Sequence, residues 1–263
     1  MKFLAARRRS PLVATAMVIG ALALVGTGYA ALSNVQPAEA SAPVSSETQV
    51  EMGKRLYLEA CSSCHGMEAQ GTANGPTLIG VGAAAVDFQV SSGRMPLVAP
   101  GAQAPDKQNV FSEDDVAALA AYVASLAPGP AIPTAEDLDY ASADQARGGE
   151  LFRINCSQCH QAAGQGGALT QGKWAPNLME AEPQEIYEAM VTGPQNMPVF
   201  SNTQLSVDNK KEIIHYIVGL QEAPSPGGLS LGRIGPVAEG LFLWVGIFAL
   251  LIAVAVWIGI KAR

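Results

Sequence analysis

Cys61-Ser62-Ser63-Cys64-His65 occurs a second time as Cys156-Ser157-Gln158-Cys159-His160. Two thiols three positions apart, with an imidazole directly after the second, form the spacing at which haem vinyl groups are captured as thioethers and the iron is ligated from one face. The chain has 4 Cys and this motif uses them all; of its 3 His, two stand in it. A single copy could be a redox dithiol or half of a zinc site. Two complete copies with no spare cysteine count against both. A zinc site built from the two pairs leaves the adjoining His residues without a role, and a thioredoxin-like dithiol needs a βαβ setting that the flanks lack. The motifs therefore predict two covalent haem c groups, held by Cys61 and Cys64 and by Cys156 and Cys159, with His65 and His160 as axial iron ligands.

Outward from each motif the sequence repeats. A helical pattern, Val50 to Ala60, runs into Cys61, and its counterpart, Gln145 to Asn155, runs into Cys156. Gly53 and Gly148 each precede the first Cys by eight residues, Tyr57 and Phe152 by four. Downstream come Gly-rich loops carrying Gly75-Pro76-Thr77-Leu78 and Ala175-Pro176-Asn177-Leu178. An imidazole bound to iron through one nitrogen needs an acceptor for its other N–H, and a backbone carbonyl commonly supplies it. The carbonyls of Pro76 and Pro176 are candidates; ordinary turn prolines are the alternative. Each half then offers Met-Pro in a loop, Met95-Pro96 and Met197-Pro198. A thioether is a soft, neutral ligand that favours ferrous iron, which makes Met95 and Met197 the candidate sixth ligands. Met67 is too near His65 to reach the opposite face of the ring, and Met179 and Met190 have no counterparts in the first half.

A helix closes each half. Ser112 is the expected N-cap of the first, with Glu113, Asp114 and Asp115 in its first turn, and it continues to Leu126. The second is expected from about Ser206 to Leu220. Tyr122 and Tyr216 are 94 residues apart, Cys61 and Cys156 95. Agreement at both ends of a unit marks a duplication. The third histidine, His215, falls where the first half has Ala121, so it reads as a helix-surface or interface residue and not as a repeated ligand.

The ends differ from the middle. Leu12 to Leu32 and Gly240 to Ile260 are each 21 residues without a charge, a length that crosses a hydrocarbon core of about 30 Å. Arg7-Arg8-Arg9 precedes the first run, and Lys261 and Arg263 follow the second, which predicts cytoplasmic termini and an external middle. Ala38-Glu39-Ala40 resembles a cleavage site, so residues 1–40 are a signal peptide or an anchor. The C-terminal run is an anchor in contact with membrane lipid, with Trp244 and Trp257 near its ends. Between Glu39 and Glu222 there are 22 Asp and Glu against 9 Lys and Arg, an excess of 13. That acidic surface excludes nucleic acid as a partner and is compatible with docking a basic redox protein. Ala127 to Pro133 and Ala223 to Gly228 read as short Pro-rich spacers.

Helix, CxxCH, Gly and Pro loop, Met-Pro loop and closing amphipathic helix, in that order, resemble the class I cytochrome c fold, twice over residues 49–222. The expected fold is all-α: an N-terminal signal or anchor helix (1–40), haem c domain 1 (41–130), a linker (131–142), haem c domain 2 (143–222), a second linker (223–236) and a transmembrane anchor (237–263). With that anchor, the chain resembles the dihaem cytochrome c subunit of the actinobacterial cytochrome bc complex. The resemblance implies an electron-transfer subunit of a quinol-cytochrome c reductase in the bacterial plasma membrane, with its haem domains on the outer side. It implies partners as well: cytochrome b, a Rieske iron-sulfur subunit and a haem-copper cytochrome c oxidase. No independent catalytic site is expected. The competing readings are the anchored subunit of a cbb-type oxidase, a soluble dihaem carrier and a dihaem peroxidase. A peroxidase needs an open iron position and a distal acid-base group, for which neither half offers a residue.

Overall fold

A computed structural model of the chain describes residues 11–33, 46–99, 101–223 and 236–261. Arg7 to Arg9, the Ala38–Ala40 site, the second spacer from residue 224 on and Arg263 lie outside them. Helix α1 (Pro11–Ser33) holds the N-terminal apolar run, with Thr15–Thr27 an uninterrupted apolar stretch.

The body consists of four helices written twice. In the first half, α2 (Ser46–Ala60) leads into the single turn α3 (Ser62–His65), followed by α4 (Ala83–Ser91) and α5 (Glu113–Leu126). In the second, α6 (Gln145–Asn155) leads into α7 (Ser157–His160), then α8 (Pro183–Thr192) and α9 (Val207–Glu222). Two-residue strands β1 (Gly167–Ala168) and β2 (Trp174–Ala175) pair antiparallel inside the second Gly-rich loop. Helix α10 (Pro236–Lys261) follows.

The helix starts follow from side chains that satisfy otherwise orphaned backbone N–H groups. Ser112 and Asp115 form a reciprocal capping box before α5, and Ser206 and Asn209 do the same before α9. Asp144 accepts from the backbone N–H of Ala146 and Arg147 at the start of α6. Helix α2 begins at Ser46, with Glu47 favourably placed in its first turn.

In each half the first helix crosses the closing helix at a glycine. A Cβ on Gly53 would stand 1.9 Å from the carbonyl oxygen of Ala118, and one on Gly148 1.9 Å from that of Glu212. Aromatic pairs flank both crossings: Tyr57 with Tyr122 at 5.2 Å between ring centres, Phe152 with Tyr216 at 5.4 Å. The apolar stripes of the closing helices fill the two cores, Val116, Leu119 and Val123 in one, Ile213, Ile214 and Ile217 in the other.

The halves pack on one another. Helix α4 lies between α5 of its own half and α8 of the other, which explains why it buries alternate positions, Ala84, Val86, Phe88 and Val90. At this contact Gln184 Nε2 donates to Asp87 Oδ2 at 2.9 Å and to Glu188 Oε1 at 3.2 Å. The segment expected as a spacer is part of the packed body: Ile132 rests on the first core, Leu138 and Tyr140 on the second.

Helix α10 is apolar over the 22 residues Gly240–Lys261, and none of them is buried among the described residues. Trp244 stacks on Phe248, and the Lys261 ammonium lies 4.7 Å from the Trp257 ring centre, the pairing of a long cation and an aromatic that suits a membrane interface.

Two predictions follow from the packing. Gly148→Ala forces the α6 and α9 backbones apart and is expected to cost about 1–3 kcal/mol, read as a lowered denaturant midpoint. An unchanged midpoint would show that the close crossing contributes nothing. Glu188 is fully buried. Burial first, then the charges of Asp87 and Glu185, push it up to about 9, against the Gln184 hydrogen bond, which lowers it. The folded state thus keeps a proton that the unfolded chain has lost. Stability is expected to fall as pH rises from about 4.5 to about 9, and Glu188→Gln to flatten that slope in thermal unfolding of the detergent-solubilised protein.

Candidate haem centres

In both halves the motif is one turn of helix. The His65 N–H donates to the Cys61 carbonyl at 3.0 Å and the His160 N–H to the Cys156 carbonyl at 2.9 Å. That turn puts the two sulfurs, three positions apart, and the imidazole, four positions on, on one side of the chain. The turn is continuous with the preceding helix, since the Cys61 and Cys156 N–H groups donate to Tyr57 and Phe152, each at 2.8 Å.

The Gly and Pro loop then folds back over each histidine. His65 Nδ1 donates to the Pro76 carbonyl at 2.8 Å, and His160 Nδ1 to the Pro176 carbonyl at 3.1 Å. With Nδ1–H so held, the Nε2 lone pair is the one left for a metal. Gly75 permits the approach in the first half: a Cβ there would stand 2.9 Å from the Cys64 carbonyl oxygen and 3.1 Å from His65 Nδ1. His160 is buried, and desolvation lowers its pKa against the Pro176 hydrogen bond, a shift that favours the neutral ring. Tyr57 adds an asymmetry, its hydroxyl donating to the Gly66 carbonyl at 2.6 Å beside the first motif, where the second half has Phe152.

None of the four cysteines is in a disulfide. Burial, and then the neighbouring thiol, push Cys61 up to about 11 and Cys156 up to about 12. A dithiol that works by exchange needs the opposite shift, toward the thiolate. Among the described residues no three His, Cys, Asp or Glu side chains gather as a metal cluster, so the two Cys pairs do not combine into a zinc site.

The second motif opens into a cavity of about 510 Å³ lined by Cys156, Cys159, His160 and Met197, a volume inside the range of about 300–1,000 Å³ for cofactor pockets. Met190 also lines it, from the apolar face of α8, and is part of the second core. In the first half Cys61 and Met95 both pack against the core beside the motif. The residues present thus fit a covalent haem in each half. Met67 is exposed. His215 stands apart from both motifs, its Nδ1 2.8 Å from the Ala143 carbonyl and its ring 6.1 Å from that of Tyr140, an interface residue tying α9 to the segment before α6.

Sequence reasoning missed the helices α4 and α8, and it missed part of the second cavity's wall. Trp174 comes from a β-strand inside the expected loop. Phe88, Arg94, Gln103 and Lys107 come from the other half of the chain. The motif spacing holds no signal for residues contributed by the neighbouring repeat; the one available hint was Arg94, directly before Met95.

Comparison with known proteins agrees with this anatomy. The family described as cytochrome c matches residues 50–127, and the family described as cytochrome c oxidase, cbb3-type, subunit III matches residues 143–217. A cytochrome bc1 complex cytochrome c subunit of Corynebacterium efficiens is 48% identical, covering 97% of this chain and 90% of its own. The protein of the same name from Corynebacterium diphtheriae is 44% identical over 98% of this chain and 97% of its own, and that from Mycobacterium tuberculosis 45% over 97% and 93%. Full-length identity of this order, on a chain whose two motifs fit two covalently bound haem c groups, places the protein in the family of cytochrome c subunits of the cytochrome bc1 complex.

Proposed function

We propose that the chain is the membrane-anchored electron-transfer subunit of a respiratory quinol-cytochrome c reductase, taking electrons from the Rieske iron-sulfur subunit, which works with cytochrome b, and passing them to a haem-copper oxidase. The observation that carries this reading is the tandem of two haem sites in one packed body ahead of an apolar helix, in a chain similar over nearly its full length to relatives named as bc1 subunits. Bound haem iron supplies a reversible one-electron couple. The chain's own residues do the rest. The four cysteines would attach the groups, His65 and His160, their rings held by the Pro76 and Pro176 carbonyls, would ligate the iron, and Met95 and Met197 would each offer it a thioether. A neutral thioether favours the ferrous state and raises the potential, as suits a carrier late in a respiratory chain.

The haem domains are assigned to residues 41–130 and 143–222 and the anchor to 237–263. The basic end of α10 at Lys261 supports a cytoplasmic C-terminus and haem domains on the outer face of the plasma membrane. A second reading, the anchored cytochrome of a cbb-type oxidase, is favoured by the family match of residues 143–217 alone.

Purification in mild detergent is expected to bring down cytochrome b, a Rieske protein and oxidase subunits together; recovery with a cbb-type catalytic subunit and neither of the first two would favour the second reading. Met95→His and Met197→His are each expected to lower one midpoint potential by on the order of a few tenths of a volt, within the range of about 0.8 V that axial ligands set. Met190→Leu should leave both midpoints in place. A potential that does not move acquits that methionine as a ligand.

A further inference from the structure

We propose that Arg94, a residue of the first half, is the cation that neutralises the propionate carboxylates of the haem carried by the second half. The inference rests on the two-haem reading and on nothing about the redox partners. A haem bears its two propionates on the edge of the macrocycle away from the vinyl groups that become thioethers. Carboxylates drawn into a protein cavity are costly unless a cation and hydrogen bonds meet them.

Among the described residues that line the second cavity, none is a lysine or arginine of its own half, Lys173 lying behind Asn196, to whose Oδ1 it donates at 2.7 Å. The charged side chains that α8 and the loop before it contribute to its lining are acids, Glu180 and Glu185. The two permanent cations in the lining, Arg94 and Lys107, both come from the first half, as does the acid Asp106. Lys107 is already occupied: its ammonium donates to the carbonyls of Gly93 and Pro96, the latter at 2.8 Å, which bracket Arg94 and Met95. Arg94 has no carboxylate in ion-pair reach among the described residues. Its guanidinium lies 4.8 Å from the centre of the Phe88 ring, and Phe88 lines the same cavity. A planar fork of donors supported on an aromatic face suits a carboxylate better than an ammonium does.

The placement is built and not incidental. The loop that follows Arg94 is fastened to both lips of the second cavity by reciprocal amide pairs. Gln103 exchanges hydrogen bonds with the Trp174 backbone, 2.8 Å each way. Gln195 does so with the Ala104 backbone, at 3.3 and 3.2 Å. Met95 packs against the first core while Arg94 lines the second cavity. Two consecutive residues thus serve two different haems, so that the Arg94–Met95 peptide joins the linings of the two centres.

The test is a redox titration of the purified full-length holoprotein carrying Arg94→Gln, with the second haem's wave identified by its loss in a Cys156→Ser, Cys159→Ser variant. Removing the guanidinium leaves the propionate charge unopposed and favours ferric iron. The second midpoint is expected to shift downward while the first stays in place, and Arg94→Lys to recover most of the shift. Arg94→Met, which keeps length and packing over Phe88, serves the same purpose should the glutamine variant not accumulate. A second midpoint unmoved in Arg94→Gln and Arg94→Met, a shift confined to the first haem, or equal shifts in the lysine and glutamine variants would each overturn the proposal. A wild-type chain whose mass shows fewer than two haems would instead sink the two-haem reading beneath it.

Discussion

The approach of Gly53 to the Ala118 backbone, repeated by Gly148 at Glu212, fixes where everything else in the body can stand. Because the helices touch there without side chains between them, the first helix of each half ends at a set height against the closing helix. The Cys-X-X-Cys-His turn grows directly out of that end. The aromatic pairs beside the crossings and the aliphatic stripes of the closing helices then fill the space on one side of the motif. The Gly and Pro loop closes over the imidazole from another. Haem attachment chemistry demands only the local turn; the orientation of the imidazole comes from a carbonyl 11 residues away in one half and 16 in the other, held in place by the same packed frame.

The second centre is not self-contained. A wall of its cavity, both of its permanent cations and one partner of each amide pair across its lips belong to the first half. Duplication gave each half the same elements, and the halves have since diverged at the surface where they meet. Glu188, fully buried and held protonated between its own helix and Asp87, belongs to that surface too. A second charge there would carry a desolvation penalty that a protonated Glu188 avoids.

Much of this was legible in the residues. The motif and its repeat determined the cofactor chemistry, the Ser112 and Ser206 caps marked helix starts, and Pro76 and Pro176 sit where a ligating histidine needs an acceptor. Helix α4 was not legible, because Ala84, Val86, Phe88 and Val90 are buried at alternate positions by packing on two sides, and that periodicity resembles a strand. The residues between the halves were legible in part. Their prolines suggested a short spacer, and what the spacing did not tell is that Ile132, Leu138 and Tyr140 rest on the two cores. Contacts such as Gln103 to Trp174 join positions 71 residues apart, and a single sequence read locally holds no record of them.

The amide pairs at Gln103 and Gln195 have a consequence for how the protein answers its medium. Neither carries net charge, whereas the sequence between Glu39 and Glu222 is strongly acidic. Screening acts on exposed charges, with a reach that shrinks to about 10 Å at 0.1 M salt. Rising ionic strength should therefore weaken whatever attraction the acidic sequence exerts on its surroundings and leave the uncharged amide pairs that fasten the two halves as they are, so electrolyte acts outside the body and not on its internal joint.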